Sequence, residues 1–420
     1  MKKLSILLVA ALMLSMCGSF AFAQEKEVLE FYHGYYHAES EWPAAKAMRD
    51  LYDAFAAKHA DGPVTFKPIA VENREEIVSA KVAGGAFPDV VDVSGSVPQA
   101  AIAQGLVLDV KPFIDENKLQ AAVGINYTQN DVDGHIYTVH DQLESRGIWV
   151  NTAVLKEAGV EAEALTTWEG FAEAMDKVRA LNNGKYAYAA GQGSGFLLTA
   201  HLAQTEEGKA LLMGELTAEA IQSEVFANAF KTVAKLDQAN GSEHTTNDVG
   251  NLMDDFNKNG MAAVLLNGVW NASGIATELA EDIQPAIFPG NVSISTAGGG
   301  LSIASGMSEA KTKLALEFLQ YMTSEEVQSE IFLKVQANPC NSAVDINALA
   351  EKDGNPITIK LANACAMVNT APTIVMDAAN LWGGDVSAAI INAFMECAVS
   401  NTDIDARFEQ LQKELIAIIS

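Results

Sequence analysis

DGHIYTVHDQLESRGIWVN, residues 133–151, is the stretch on which the reading of this chain turns. An Asp133-Gly134 turn feeds an alternating run (Ile136, Val139), then a polar interruption (His140, Asp141, Gln142, Glu144), then Ile148-Trp149-Val150. A turn leading into a long extended run reads as strand. Charges set into its middle exclude an ordinary core strand, because unpaired buried charge is costly. The economical arrangement is a strand that leaves one packed body, crosses a wet cleft and enters a second.

Length agrees: 420 residues, against a prior of roughly 150 per domain, suggest two or three bodies. Hydrophobic content near half with 19% charged residues is that of a folded globular protein. A net charge of -27 argues against nucleic acid, since counterion release needs clustered Lys and Arg, and against docking on an anionic membrane. Residues 1–23 read as a targeting segment: Lys2 and Lys3, the apolar run Leu4 to Met16, then Ala21-Phe22-Ala23 as cleavage site. The expectation is export to the periplasm with a mature start near Gln24. The alternative is a lipid anchor at Cys17, against which Met16 stands because it is not small. No later run reaches the ~20 apolar residues that span a bilayer. Cys340, Cys365 and Cys397 remain, as three buried small residues or as one disulfide whose pairing the sequence does not choose.

Taken in order, Val28 to Tyr32, Val64 to Ala70 and Phe87 to Val93 read as strands. Between them lie an amphipathic helix, Trp42 to His59 with Pro43 in its first turn, and a helix from Arg74 to Val82 ended by Gly84-Gly85. Strand, helix, strand, helix, strand is the pattern of a parallel sheet flanked by helices. In such sheets ligands sit beyond the carboxyl ends of the strands, which puts the His33–His37 loop and Ser94–Ser96 on one rim.

KVAGGAFPDVVDVSGS (residues 81–96) is similar to a helix, Gly pair and Pro-Asp strand found in the extracellular solute-binding proteins of sugar ABC transporters, the maltose-binding-protein-like family. NTAVLKEAGV with TTWEGFAEAMDKV, MDDFNKNGMAAVLLNGVW and LALEFLQYMTSEEVQSEIF resemble further signatures of that family, in the same order, over nearly the whole mature chain. The resemblance implies an α/β, two-lobed periplasmic-binding-protein fold (type II-like), each lobe a mostly parallel sheet flanked by helices and joined by hinge crossings. Lobe one would comprise residues 24–144 plus 300–339, and lobe two 147–297 plus 341–420. Thr296 to Gly300 resembles a second crossing.

A sugar pocket needs flat aromatic surfaces and fixed donors and acceptors. Trp270 and Trp382 adjoin Gly-containing turns and are the expected platforms, with core packing as the competing reading; Trp270 matches the family's stacking Trp. Trp42, Trp149 and Trp168 read as structural. Asp141, Glu144 and Arg146 would bind ligand hydroxyls or brace the hinge, and strand alternation sets Glu144 and Arg146 on one side. Glu144 is placed like a sugar-contacting Glu of maltose-binding relatives. His33, Tyr35 and Tyr36 are expected to bond a polar ligand; a zinc site on His33 and His37 lacks a matched third ligand. Ser94 and Ser96 would donate to the ligand or cap the next helix. Gly299, within the Gly298–Gly300 run, would permit flexing or close ligand approach.

The expected function is that of a monomeric substrate-binding component of an ABC importer. It would bind a mono- or oligosaccharide between the lobes and deliver it to the permease subunits, with no cofactor, no metal and no enzymatic activity. A non-sugar solute (polyol, peptide or metal) is the alternative, and a secreted carbohydrate-active enzyme a more distant one.

Overall fold

The structure is a computed structural model that describes residues 26–93, 97–190, 193–246, 249–297 and 299–420. The expected targeting segment, Cys17, Ser94 and Ser96 lie outside the described residues.

Two separate sheets carry the fold, so it is two-lobed. The first is four-stranded, in the order Gly300–Ile303, Val90–Val93, Glu27–His33, Val64–Ala70. Its three early strands run parallel and the late one antiparallel. The Pro43–Lys58 helix buries Met48, Tyr52 and Phe55, a spacing that sets one helical stripe inward. Phe318, from the late helix Glu309–Met322, lies 4.9 Å from Phe31 and 4.6 Å from Phe66, which fixes the return of the chain into this lobe.

The second sheet is ordered Thr373–Val375, Val292–Thr296, Gln142–Asn151, Ala262–Gly268, Tyr186–Ala189. The expectation of a mostly parallel sheet in each lobe holds for the first and is corrected for the second. Gln142–Asn151 pairs antiparallel with Val292–Thr296, Ala262–Gly268 and Ile283–Ala286. It arrives from the other lobe as the first strand of this sheet in chain order, and the strands later laid beside it run against it. Alternation then splits its side chains between two cores, Ile148 and Val150 on one face and Trp149 on the other. Trp149 Nε1 donates to the Gly268 carbonyl at 2.9 Å, so this buried indole has its partner.

The 133–151 run is broken. His135–Ile136 pairs with Asp131–Val132 across a turn in which Asp133 and Gly134 both take positive φ (53° and 87°), a two-residue hairpin. The strand resumes only at Gln142, because Asn126 engages the backbone of His140 instead, accepting from its N–H at 2.8 Å and donating to its carbonyl at 3.0 Å.

Beside the resumed strand lie two other segments that pass between the sheets. Thr296 pairs with Glu144 and Ser295 with Ser145, while Asn338 pairs with Leu143 and Pro339 with Gln142. Ser145, fully buried, joins all three through Ser295 Oγ at 3.2 Å and Asn338 Nδ2 at 2.7 Å. Gly300 (φ +120°) approaches the His140 backbone so closely that an added Cβ would lie 2.3 Å from His140 Cα. Gly300 thus allows close contact between two crossings. Cys340, Cys365 and Cys397 are free and buried. Among the described residues no helix is long and apolar enough to cross a membrane.

Candidate functional site in the interlobe cleft

A cavity of about 920 Å³ opens between the lobes. That is the size of a site for a ligand of several rings. The crossing strand contributes Gln142, Glu144 and Arg146 to it. Their burial alternates with that of Leu143, Ser145 and Gly147, as strand geometry requires.

Arg146 is the most constrained of these side chains. Its guanidinium carbon lies 4.8 Å from the ring centre of Phe196 and 5.4 Å from that of Trp270. Nη2 donates to Glu144 Oε2 at 2.9 Å, and Nη1 sits 3.5 Å from Asp377 Oδ2. Cation–π stacking and two carboxylates fix the fork and balance its charge in a site shielded from water. Trp270 folds back from the end of the Ala262–Gly268 strand with its ring against Gly268, where an added Cβ would meet the indole at 2.2 Å. Gly268 therefore admits the ring, which lines the cavity beside Asn271 and Ser273.

From the first lobe come Tyr35 and Trp42, ring centres 5.3 Å apart, with the Tyr35 hydroxyl accepting from Gln142 Nε2 at 2.6 Å. Arg74 and Asp92 stand beside them, joined at 2.5 Å.

Of the residues singled out in the sequence, the structure brings Tyr35, Glu144, Arg146 and Trp270 together at this cavity. The others lie elsewhere. Trp382 is 9% exposed, inside the second lobe's core, its ring 6.0 Å from Phe226. A short helix, Ala378–Trp382, points it inward. His33 is buried among Phe31 and Tyr52, where burial pushes its pKa down to about 4. Among the described residues no group of three His, Cys, Asp or Glu is placed to hold a metal. Tyr36 is exposed, stacked on His37 at 4.2 Å, and does not line the cavity. Asp141 is buried beneath the crossing, where desolvation pushes its pKa up to about 7, with His140 opposing and Asp92 adding to the shift. Gly299 is buried and outside the cavity lining.

Trp42, read from the sequence as structural, lines the cavity, and so do Arg74 and Asp92, which the sequence reading did not single out. A positional signal existed for each. Trp42 and Arg74 stand at the starts of helices that follow strands, and Asp92 is the polar residue inside the apolar strand VVDV. All three therefore belong to the rim where strands end and helices begin.

Comparison with known proteins agrees with this geometry. Residues 50–356 match the family model described as bacterial extracellular solute-binding protein. A Streptococcus pneumoniae solute-binding protein, solved in complex with the blood group A-trisaccharide, is 47% identical, with 93% of this chain and 100% of that one covered at a TM-score of 0.86. A chitin oligosaccharide binding protein shares the fold at 19% identity and a TM-score of 0.73, over 92% of this chain and 98% of its own. RafE, solved in complex with raffinose, does so at 17% identity and a TM-score of 0.66, over 94% and 100%. No curated protein sequence matches the chain. With most of its length matched by the family model and nearly all of it by a solved solute-binding protein at almost half identity, this chain belongs to the bacterial extracellular solute-binding proteins.

Proposed function

We propose that this protein is the sugar receptor of an ABC importer, taking up a neutral oligosaccharide between its lobes and presenting it to the permease subunits. The observation that carries the reading is the lining of the cleft. Aromatic rings from both lobes, Trp42 with Tyr35 and Trp270 beside Arg146, flank hydrogen-bonding groups whose charges are mutually balanced. Sugar rings have apolar faces for the former and hydroxyls for the latter. Arg74 pairs with Asp92, Arg146 with Glu144 and Asp377, and Lys334 with Glu330, so among the described residues an anionic ligand meets no uncompensated cation there.

The three crossings, held side by side by Ser145, Ser295 and Asn338, are the natural pivot. A ligand that touches both walls favours the closed arrangement by its differential affinity for it. Export with cleavage near Ala23 and a monomeric state complete the proposal.

The test is a calorimetric and thermal-shift panel containing blood group A trisaccharide, raffinose, chitotriose, polyols, short peptides, and divalent metals with and without chelator. Saturable binding of a neutral oligosaccharide, with micromolar affinity near -8 kcal/mol, is expected. The same oligosaccharide should be recovered intact after prolonged incubation. Binding only of peptide or metal, or cleavage of the sugar, would refute the reading.

A further inference from the structure

We propose that the Arg74–Asp92 pair is a second hydroxyl-reading subsite, on lobe one, which binds adjacent hydroxyls of the oligosaccharide across the cleft from Glu144 and Arg146. This rests on the sugar reading above and adds a determinant of specificity to it.

Position is the first argument. Arg74 opens the Arg74–Ala83 helix and Asp92 lies in the Val90–Val93 strand, yet the fold brings Nη1 to 2.5 Å from Asp92 Oδ2 where both side chains line the cleft. Both are mostly withdrawn from solvent, at 16% and 14% side-chain exposure. A pair that only braced the lobe would gain nothing from facing the cavity, and a surface pair would be worth little.

Donor bookkeeping is the second. A guanidinium carries five N–H donors and a carboxylate about four acceptor positions, and one contact between them leaves most of each unused. Arg74 Nε is buried and makes no hydrogen bond among the described residues, and Nη2 stands 4.0 Å from Glu75 Oε1. Two neighbouring sugar hydroxyls complement such a pair, one accepting from the guanidinium while the other donates to the carboxylate. Charge-assisted bonds of this kind are the strong ones.

Close packing of the backbone is the third. The guanidinium lies against Gly34, where an added Cβ would come within 2.6 Å of Arg74 Cζ and 2.8 Å of Nη2. Glycine at this position holds the fork flat against the loop, beside Tyr35. Lobe one thereby repeats the composition of lobe two, an aromatic ring next to an arginine held by a carboxylate. Burial raises the Asp92 carboxyl above its ordinary value even though Arg74 and then His140 draw it back.

The experiment is calorimetry on wild type, Gly34→Ala, and the double variant Arg74→Gln with Asp92→Asn, which removes both charges together and strands neither. The probes are blood group A trisaccharide, raffinose and chitotriose, followed by single-deoxy analogues of the tightest binder. Affinity should fall about 10- to 100-fold in both variants. One or two deoxygenations should weaken wild type by a similar factor and leave the double variant unchanged. That coupling is a readout that mere loss of structure does not produce. Wild-type affinity in both variants, or a uniform loss for every deoxy analogue, would overturn the subsite while the sugar reading stands. Failure of wild type to bind any of the three probes counts against the sugar reading itself and takes the subsite with it. Should the double variant fail to melt cooperatively, Gly34→Ala, which keeps both charges, decides alone.

Discussion

Trp270 and Trp382 look alike in the sequence, each an indole beside a glycine-containing turn, and the molecule treats them oppositely. Trp270 lies two residues past the end of the Ala262–Gly268 strand, in the short 3-10 helix Val269–Gly274, and lays its ring over Gly268 at the cavity wall. Trp382 ends a five-residue helix whose inner side faces Phe226, and it joins the second lobe's core. A glycine neighbour permits a large ring to lie close to the backbone, but the preceding element decides which way it points. A strand running out of a sheet delivers its last side chains to the rim; a helix seated on a core delivers one stripe inward.

This contrast can be broken by asking which measurement each residue moves. Trp382→Ala should have the largest effect, destabilising the empty protein by about 3–5 kcal/mol and lowering its melting midpoint by roughly 6–20 °C. The affinity of protein that remains folded should stay within a few-fold of wild type. A normal midpoint with lost binding would return Trp382 to the ligand. Trp270→Ala should do the reverse, weakening the tightest oligosaccharide at least about 30-fold, or ~2 kcal/mol, in calorimetry. Its empty midpoint should move by no more than a few degrees. Smaller again is Trp42→Ala: the indole is 42% exposed, so removal should cost about three- to tenfold in affinity and almost nothing in stability. Equal losses of affinity at Trp42 and Trp270 would show that the two walls contribute alike.

The same distinction explains what the sequence disclosed. The strands and helices of lobe one were legible because their apolar periodicity is local: Val64–Ala70 was read with the bounds the structure has, and the Pro43–Lys58 helix within a residue at each end. Glu144 and Arg146 could be placed together because strand alternation is a local rule. His33, Tyr36 and Trp42 could not be sorted, since whether a loop residue faces the cleft depends on packing set far away in sequence. His33 is turned inward onto Tyr52, while Trp42, just ahead of its helix, faces the cavity. The mixed direction of the second sheet was hidden because strand direction follows from the order in which crossings enter, which periodicity does not record.

Asp141 belongs with Trp382: the sequence left ligand contact and a structural role open for each, and both side chains are buried outside the cavity lining. Its signature should be in stability against pH. Desolvation pushes the Asp141 carboxyl from an ordinary 3.8 up to about 7, against His140 and with Asp92, while Tyr35, Tyr52 and Cys340 share its surroundings. Between those two values the native state holds a proton that the unfolded chain has released, so this group's contribution is fully present below about pH 4 and is lost as pH rises through 7. Asp237, buried against the Tyr188 hydroxyl and pushed up to about 7, acts in the same sense. His33, pushed down to about 4, acts in the opposite one: its contribution is present above its ordinary 6.5 and is lost as pH falls towards 4. The wild-type profile is therefore a sum of opposed slopes, and only a difference isolates one group. Asp141→Asn, neutral at every pH, should gain on wild type in melting midpoint as pH rises from 4 to 7, and the gap should then level off. A constant gap would show that Asp141 ionises in the native state as it does in water, and that the carboxylate is open to the cleft after all.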